Sequence, residues 1–69
     1  MPLTLAVPGE ENIVRHIGGK PEVKAHLENL GFVVGASVEV VTSMAGNVIV
    51  SVKGSRIAIS KEMAGKIMV

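Results

Sequence analysis

The stretch HLENLGFVVG, residues 26–35, has the pattern of a helix end that leads directly into extended chain. Leu27 and Leu30 belong to an apolar series at i, i+4 and i+7 that occupies one face of a helix. Gly31 follows, and helices commonly end at glycine because it adopts a left-handed conformation without steric cost. In a Schellman end of this kind the side chain of Phe32 meets that of Leu27. The stretch therefore predicts a helix joined closely to a sheet.

Size and composition limit the chain to one small domain over residues 1–69. Hydrophobic residues make up 48% of the sequence, yet the only aromatic one is Phe32. The remainder is rich in valine and isoleucine, which favours short strands. There is no cysteine, so disulfides and thiolate metal sites are excluded, and a reducing compartment is consistent with that absence.

The charges are nearly balanced and evenly spread, with 7 basic and 6 acidic residues and a net charge of +1. Nucleic-acid-binding domains usually carry a basic excess or a basic patch, and single-strand binders need several aromatic side chains. Nothing resembles a leader peptide, and no apolar run approaches the ~20 residues that span a bilayer. We therefore expect a cytoplasmic protein that neither inserts into membranes nor binds nucleic acid.

The periodicity predicts a strand, a helix, three strands, a helical turn and a final strand, at residues 12–17, 21–30, 38–42, 48–53, 57–59, 60–64 and 67–69. Turns are predicted at residues 44–47 and at Gly54-Ser55, the second with glycine first in a two-residue loop. Ser60 is the expected cap of the helical turn. Alternation predicts these inward side chains: Val38, Val40, Thr42, Val48, Val50, Val52, Ile57 and Ile59.

About five short strands are too few for a two-layer sandwich, but they can close into a small barrel. The predicted fold is a mainly β, small α+β, SH3-like barrel. One helix is inserted between the first and second strands, and a short helical turn precedes the last strand. Exposed strand edges in so small a barrel also predict weak self-association.

No catalytic site is predicted. His16 and His26 could act as bases for several serines, but the chain has no aspartate and no serine lies in a nucleophile-elbow pattern. The glycines before Lys20 lack the spacing of a phosphate-binding loop. These residues fit turns, caps and solvated positions, so no enzymatic role can be assembled from them.

His16 and His26 are also the candidate metal ligands. They lie ten residues apart, on a predicted strand and a predicted helix, without the close pairing typical of structural zinc sites. We therefore predict no resident metal or cofactor, with ferrous iron or another divalent cation bound weakly at most.

Four segments together resemble the FeoA family, the small accessory domain of bacterial ferrous-iron uptake. They are Leu5 with GE at 9–10, LENLGFVVG at 27–35, KGSRIA at 53–58 and AGKIMV at 64–69. Two positions depart from the family pattern. His26 stands where arginine is common, and Val34 stands where proline is common.

The resemblance implies an SH3-like barrel without catalytic activity that acts with FeoB, a membrane ferrous-iron transporter with a cytosolic GTPase domain. Regulation or assembly of that transporter is the implied role. A related domain ends some iron- and manganese-dependent repressors, so metal-responsive transcriptional regulation is the first alternative. A metal-binding domain and a small nucleic-acid-binding barrel are the remaining alternatives.

We expect partner binding where the helix end meets a hairpin tip. Apolar side chains cluster after the helix, and loop tips are usually exposed. The predicted partner-binding residues are Phe32, Val33, Val34, Met44 and Arg56, with arginine supplying charge from the second hairpin.

Overall fold

The computed structural model describes the whole chain from Met1 to Val69. After a 3₁₀ turn at Leu3–Leu5, the chain forms six strands and two helices. In chain order they are β1 Glu11–Ile13, β2 His16–Ile17, α1 Pro21–Asn29, β3 Ser37–Met44, β4 Asn47–Val52, β5 Ser55–Ser60, α2 Lys61–Ala64 and β6 Ile67–Met68.

Helix α1 ends in the Schellman geometry that the sequence predicts. The Phe32 N–H donates to the Leu27 carbonyl oxygen at 3.0 Å, and the Gly31 N–H donates to the Glu28 carbonyl oxygen at 3.0 Å. Gly31 has a φ of +108°, in the region that favours glycine. The helix is one residue shorter than predicted because Leu30 serves as its C-cap.

The single strand expected over residues 12–17 is divided into two, because the chain changes partner in its middle. β1 pairs antiparallel with β3, whereas β2 pairs antiparallel with β6. The Val14 N–H still donates to the Ala36 carbonyl oxygen at 2.9 Å, but the Arg15 N–H donates to the Met68 carbonyl oxygen at 2.7 Å. Helix α1 therefore follows the second of six strands.

The larger sheet has the order β1-β3-β4-β5, and β2 and β6 form a separate two-stranded sheet. All pairings are antiparallel. The predicted mainly β, small α+β architecture is confirmed, including the helical turn before the last strand. The strands are arranged roughly as a barrel, but β1 and β5 remain edges, so hydrogen bonding does not run around a closed ring.

A β-bulge in β3 overturns one predicted facing. Val40 lies opposite Val50, but Thr42 lies opposite Ile49, and the register shifts between them. Because one extra residue reverses the alternation, Thr42 lies on the opposite face from Val40 and is exposed. The other seven predicted inward side chains are buried or partly buried.

The second hairpin turns one residue earlier than predicted. Val52 and Ser55 flank the turn, and its two central residues are Lys53 and Gly54. Their φ values are +50° and +78°, which matches the two positive values that a type I′ turn requires. The glycine thus occupies the second central position.

The core consists of 14 buried hydrophobic residues and contains no buried polar or charged side chain. Its largest fully buried side chains are those of Phe32, Leu3, Leu27 and Ile67. Helix α2 begins with the predicted cap, since the Met63 N–H donates to Ser60 Oγ at 3.2 Å. One further side-chain hydrogen bond runs from the Asn12 amide to the Glu10 carbonyl oxygen at 3.2 Å, so the packing between sheets and helices is almost entirely apolar.

We predict that Gly31→Ala destabilises the fold by about 1–2 kcal/mol, because alanine must adopt a positive φ at the helix end. Gly18→Ala is the matched control. Gly18 has no positive φ, and an added Cβ would lie 3.7 Å from the Lys66 carbonyl oxygen, an ordinary contact. Urea unfolding should show a loss of stability only for Gly31→Ala. Equal unfolding midpoints for the two variants would contradict the requirement for glycine at the end of α1.

Phe32→Ala is expected to cost about 3–5 kcal/mol of unfolding free energy, since it empties the centre of the core. Val34→Ala, at a side chain that is 66% exposed, should stay within about 0.5 kcal/mol of the parent. Denaturant titration of both variants measures the difference. A stable Phe32→Ala protein would show that the ring does not hold the core.

Candidate partner-binding surface

Backbone hydrogen bonds hold the loop after α1 against the connection between β1 and β2. The Gly35 N–H donates to the Val14 carbonyl oxygen at 2.8 Å, and the Val14 N–H donates to the Ala36 carbonyl oxygen at 2.9 Å. Within the loop, the Ala36 N–H donates to the Val33 carbonyl oxygen at 2.9 Å. Val33 and Val34 are therefore carried on a loop of defined conformation.

Two exposed apolar side chains lie on or next to the two segments that these backbone hydrogen bonds join. Val34 is 66% exposed, and Ile13, at the end of β1 opposite Ser37, is 48% exposed. Val33, which directly precedes Val34 in the chain, is half-buried. The sequence did not indicate Ile13, because Val14 is equally apolar and only the change of strand partner decides which one faces the core.

Phe32 does not belong to this surface, contrary to the prediction. Its exposed fraction is 0%. The residue two positions after the C-cap packs towards the helix in a Schellman end, and here Leu27 is also fully buried. The same geometry that ends the helix therefore removes the ring from solvent.

Met44 is exposed, as expected for a hairpin tip, but it lies far from the helix end. It is the last residue of the eight-residue strand β3, whereas Val34 precedes the first. An eight-residue strand extends about 23 Å, and the longest dimension of the molecule is 28 Å. The structure therefore does not bring Met44 together with Val33 and Val34.

The second hairpin, rather than the first, stands beside the helix end. A Cβ added to Gly31 would lie 3.5 Å from Lys53 Cδ and 3.7 Å from a Val52 methyl carbon. Arg56 follows this turn in β5 and is exposed. We call the resulting region the helix-end surface, formed by Ile13, Val33, Val34, Lys53 and Arg56.

A row of polar side chains crosses the outer face of the large sheet from one edge to the other. Glu11 lies opposite Glu39, Glu39 opposite Ser51, and Ser51 opposite Arg56. The acidic end of the row lies on β1 and β3, and the basic end on β5. A shallow cavity of about 310 Å³ opens here, lined by Glu11, Ser37, Glu39, Ser51, Lys53 and Gly54.

His16 and His26 lie on different elements and are both exposed. His16, in β2, faces Met68 across the ladder, and His26 lies in the last turn of α1. No three histidine, aspartate or glutamate side chains lie close enough to hold a metal ion together.

The opposite end of the molecule carries a second apolar region. A cavity of about 330 Å³ lies between the amino-terminal segment and the first hairpin, with Thr4, Pro8, Ser43 and Lys61 in its lining. Leu5, Val7 and Met44 are exposed next to these lining residues in the chain. Sequence reasoning missed this region, because the contact between the amino-terminal segment and β3 is long-range.

Neither helix is long and apolar enough to cross a membrane.

Comparison with known proteins places this arrangement of strands in a described family. The family model for the FeoA domain matches residues 1–69. A protein of Methanocaldococcus jannaschii named "Putative Fe(2+) transport protein A" is 41% identical over 68 residues, which are 99% of this chain and 83% of that protein.

Solved structures of FeoA proteins have the same fold as this chain. The crystal structure of an iron uptake regulatory protein, FeoA, superimposes with a TM-score of 0.91 at 37% identity, covering 100% of this chain and 93% of that one. Stenotrophomonas maltophilia FeoA, a prokaryotic SH3 domain protein crystallised with zinc, gives 0.86 at 23% identity over 100% and 88%. The fold is thus SH3-like, and the resemblance seen in the sequence is confirmed: this chain belongs to the FeoA family.

Proposed function

We propose that this protein is a non-catalytic accessory module of ferrous-iron uptake that binds the cytosolic GTPase domain of the FeoB transporter. Membership of the FeoA family and the relative named for Fe(2+) transport support the pathway. The Stenotrophomonas maltophilia protein has itself been proposed as a ferrous iron transport activating factor. Binding to the GTPase domain would place the protein in the cytoplasm.

The helix-end surface is the observation that carries this proposal. Two large aliphatic side chains, Ile13 and Val34, are about half or more exposed on segments that backbone hydrogen bonds hold in place. Exposed apolar side chains on a pre-organised surface bind a partner with little ordering cost. Lys53 and Arg56 add positive charge at its border, which favours orientation of an acidic partner surface.

The side chains present support the proposal of a binding module rather than an enzyme. The core holds no polar side chain, and Ser60 is already engaged as a helix cap. Neither exposed histidine belongs to a group of three or more histidine and glutamate side chains that could hold a metal ion. Ferrous iron is then the cargo of the partner transporter and not a resident group of this domain.

Val34→Asp is expected to weaken binding to the GTPase domain about tenfold or more, because it places a charge in the centre of an apolar contact. Met44→Asp is the matched control. Met44 is similarly exposed, takes the same change of charge and lies at the other end of β3. The measurement is a ¹⁵N NMR titration of each folded variant with the soluble GTPase domain.

Amide shifts in the parent protein should cluster at residues 13, 33–35 and 53–56. Equal loss of binding in Val34→Asp and Met44→Asp, or loss of binding only in Met44→Asp, would contradict the location of the surface. An absence of any shift at high partner concentration would contradict binding to the soluble GTPase domain.

Metal ions should leave the stability of the isolated domain unchanged, since no set of three ligands is assembled. We expect the same Tm, within about 1 °C, with a chelator and with anaerobically added ferrous iron. His16→Ala and His26→Ala should not alter this result. A saturable one-to-one iron complex that either variant abolishes would instead support the metal-binding alternative.

A further inference from the structure

Arg56 is the one residue of β5 in the proposed helix-end surface, so the rest of this strand has no role in that proposal. β5 pairs with β4 on one side only and is an edge of the four-stranded sheet. No backbone hydrogen bond outside the regular ladders involves any of its six residues. Its second side therefore presents peptide groups to solvent.

The geometry of the hairpin shows which peptide groups these are. The two-residue turn closes on Val52 and Ser55, and an antiparallel ladder alternates between residues that face the neighbouring strand and residues that face away. Ser55 and Ile57 thus direct their peptide groups towards β4. Arg56 and Ala58 direct theirs towards the open edge.

This edge is long and regular. β5 has six consecutive pairs with β4 without a register shift, whereas the opposite edge strand, β1, has three residues. Natural proteins usually protect such an edge with proline, a bulge, a covering segment or charged side chains, and β5 has no proline or bulge and a single charged residue, Arg56. An exposed edge of this length is suited to binding an extended peptide as an added strand.

The charges beside the edge of β5 indicate which kind of peptide strand would bind there. Glu11 and Glu39, the carboxylates on the outer face of the sheet, lie on the far strands β1 and β3, and Glu62 lies beyond the strand in α2. Three exposed cations make no side-chain hydrogen bond: Lys53 and Arg56 lie at the hairpin end of β5, and Lys61 follows its other end as the first residue of α2, next to Glu62. Pairing of two β5 edges from two copies would bring these like charges together, which disfavours a second copy as the occupant.

We propose that β5 binds an extended acidic segment of a partner protein by strand addition, with main-chain bonds at Arg56 and Ala58 and carboxylates facing the three cations. This deepens the function proposed above and rests on it for the identity of the partner. An added strand would also cover Ile57, whose side chain is only partly buried.

The first test uses a defined probe, the capped peptide Thr-Val-Glu-Val-Glu-Val-Glu-Thr, titrated into the ¹⁵N-labelled protein. The control peptide carries lysine in place of each glutamate. We expect shifts at residues 55–60, slowed hydrogen exchange of the Ala58 N–H, and binding about tenfold tighter for the acidic peptide. Shifts elsewhere, or equal binding of both peptides, would overturn the proposal.

Variants of the protein test the main-chain hydrogen bonds and the charge contacts separately. Ala58→Pro removes an outward N–H and leaves the ladder to β4 intact, so binding should weaken about tenfold. Arg56→Glu should weaken it similarly, while Lys24→Glu, the same charge change on α1, should not. If Ala58→Pro does not fold, a peptide N-methylated at alternate residues replaces it and should lose binding to the parent protein.

The outcomes separate this inference from the proposed function. If the transporter GTPase domain binds Ala58→Pro as tightly as the parent, strand addition is wrong and the proposed function stands. If the acidic peptide binds β5 but the GTPase domain does not bind, the proposed partner is wrong and strand addition stands. Concentration-dependent shifts at residues 55–60 without peptide would instead assign the edge to self-association.

Discussion

A left-handed residue at the end of α1 is the constraint on which the arrangement of this small domain depends. Gly31 reverses the chain within one residue, so the Phe32 N–H can bond back to the Leu27 carbonyl oxygen while its ring enters the core. Phe32 is the only aromatic residue, and burial of one phenylalanine contributes roughly 1.5–3 kcal/mol. In a domain of 69 residues that is a large share of the net stability.

The same chain reversal also determines which apolar side chains remain exposed to solvent. Once Phe32 is buried, the loop that follows is bonded to Val14, and Val34 and Ile13 become the exposed apolar side chains at that end. The rigid ladder of β3 and β4 then separates this end from Met44. The domain therefore has two distinct apolar regions, one beside the basic second hairpin and one around the amino-terminal segment and the first hairpin.

Charge follows the order of the strands. A chain with a net charge of only +1 still has a polarised outer face, because the acidic residues of that face fall on β1 and β3 and the basic ones near β5. This polarity is invisible in the composition. It arises from the topology, which places β5, the strand that contains Arg56 and directly follows Lys53 and Gly54, at the edge of the sheet.

The sequence by itself determined the local features: the ends of α1, the alternation in β4 and β5, the Ser60 cap, and the family to which the chain belongs. Each of these depends on neighbours within about six residues or on a motif carried by the order of residues. The tertiary structure alone decided the change of strand partner at Val14 and Arg15, the bulge between Val40 and Thr42, and the open edge of β5. These depend on pairing between residues distant in the chain, and the local pattern is the same whichever partner a strand finds.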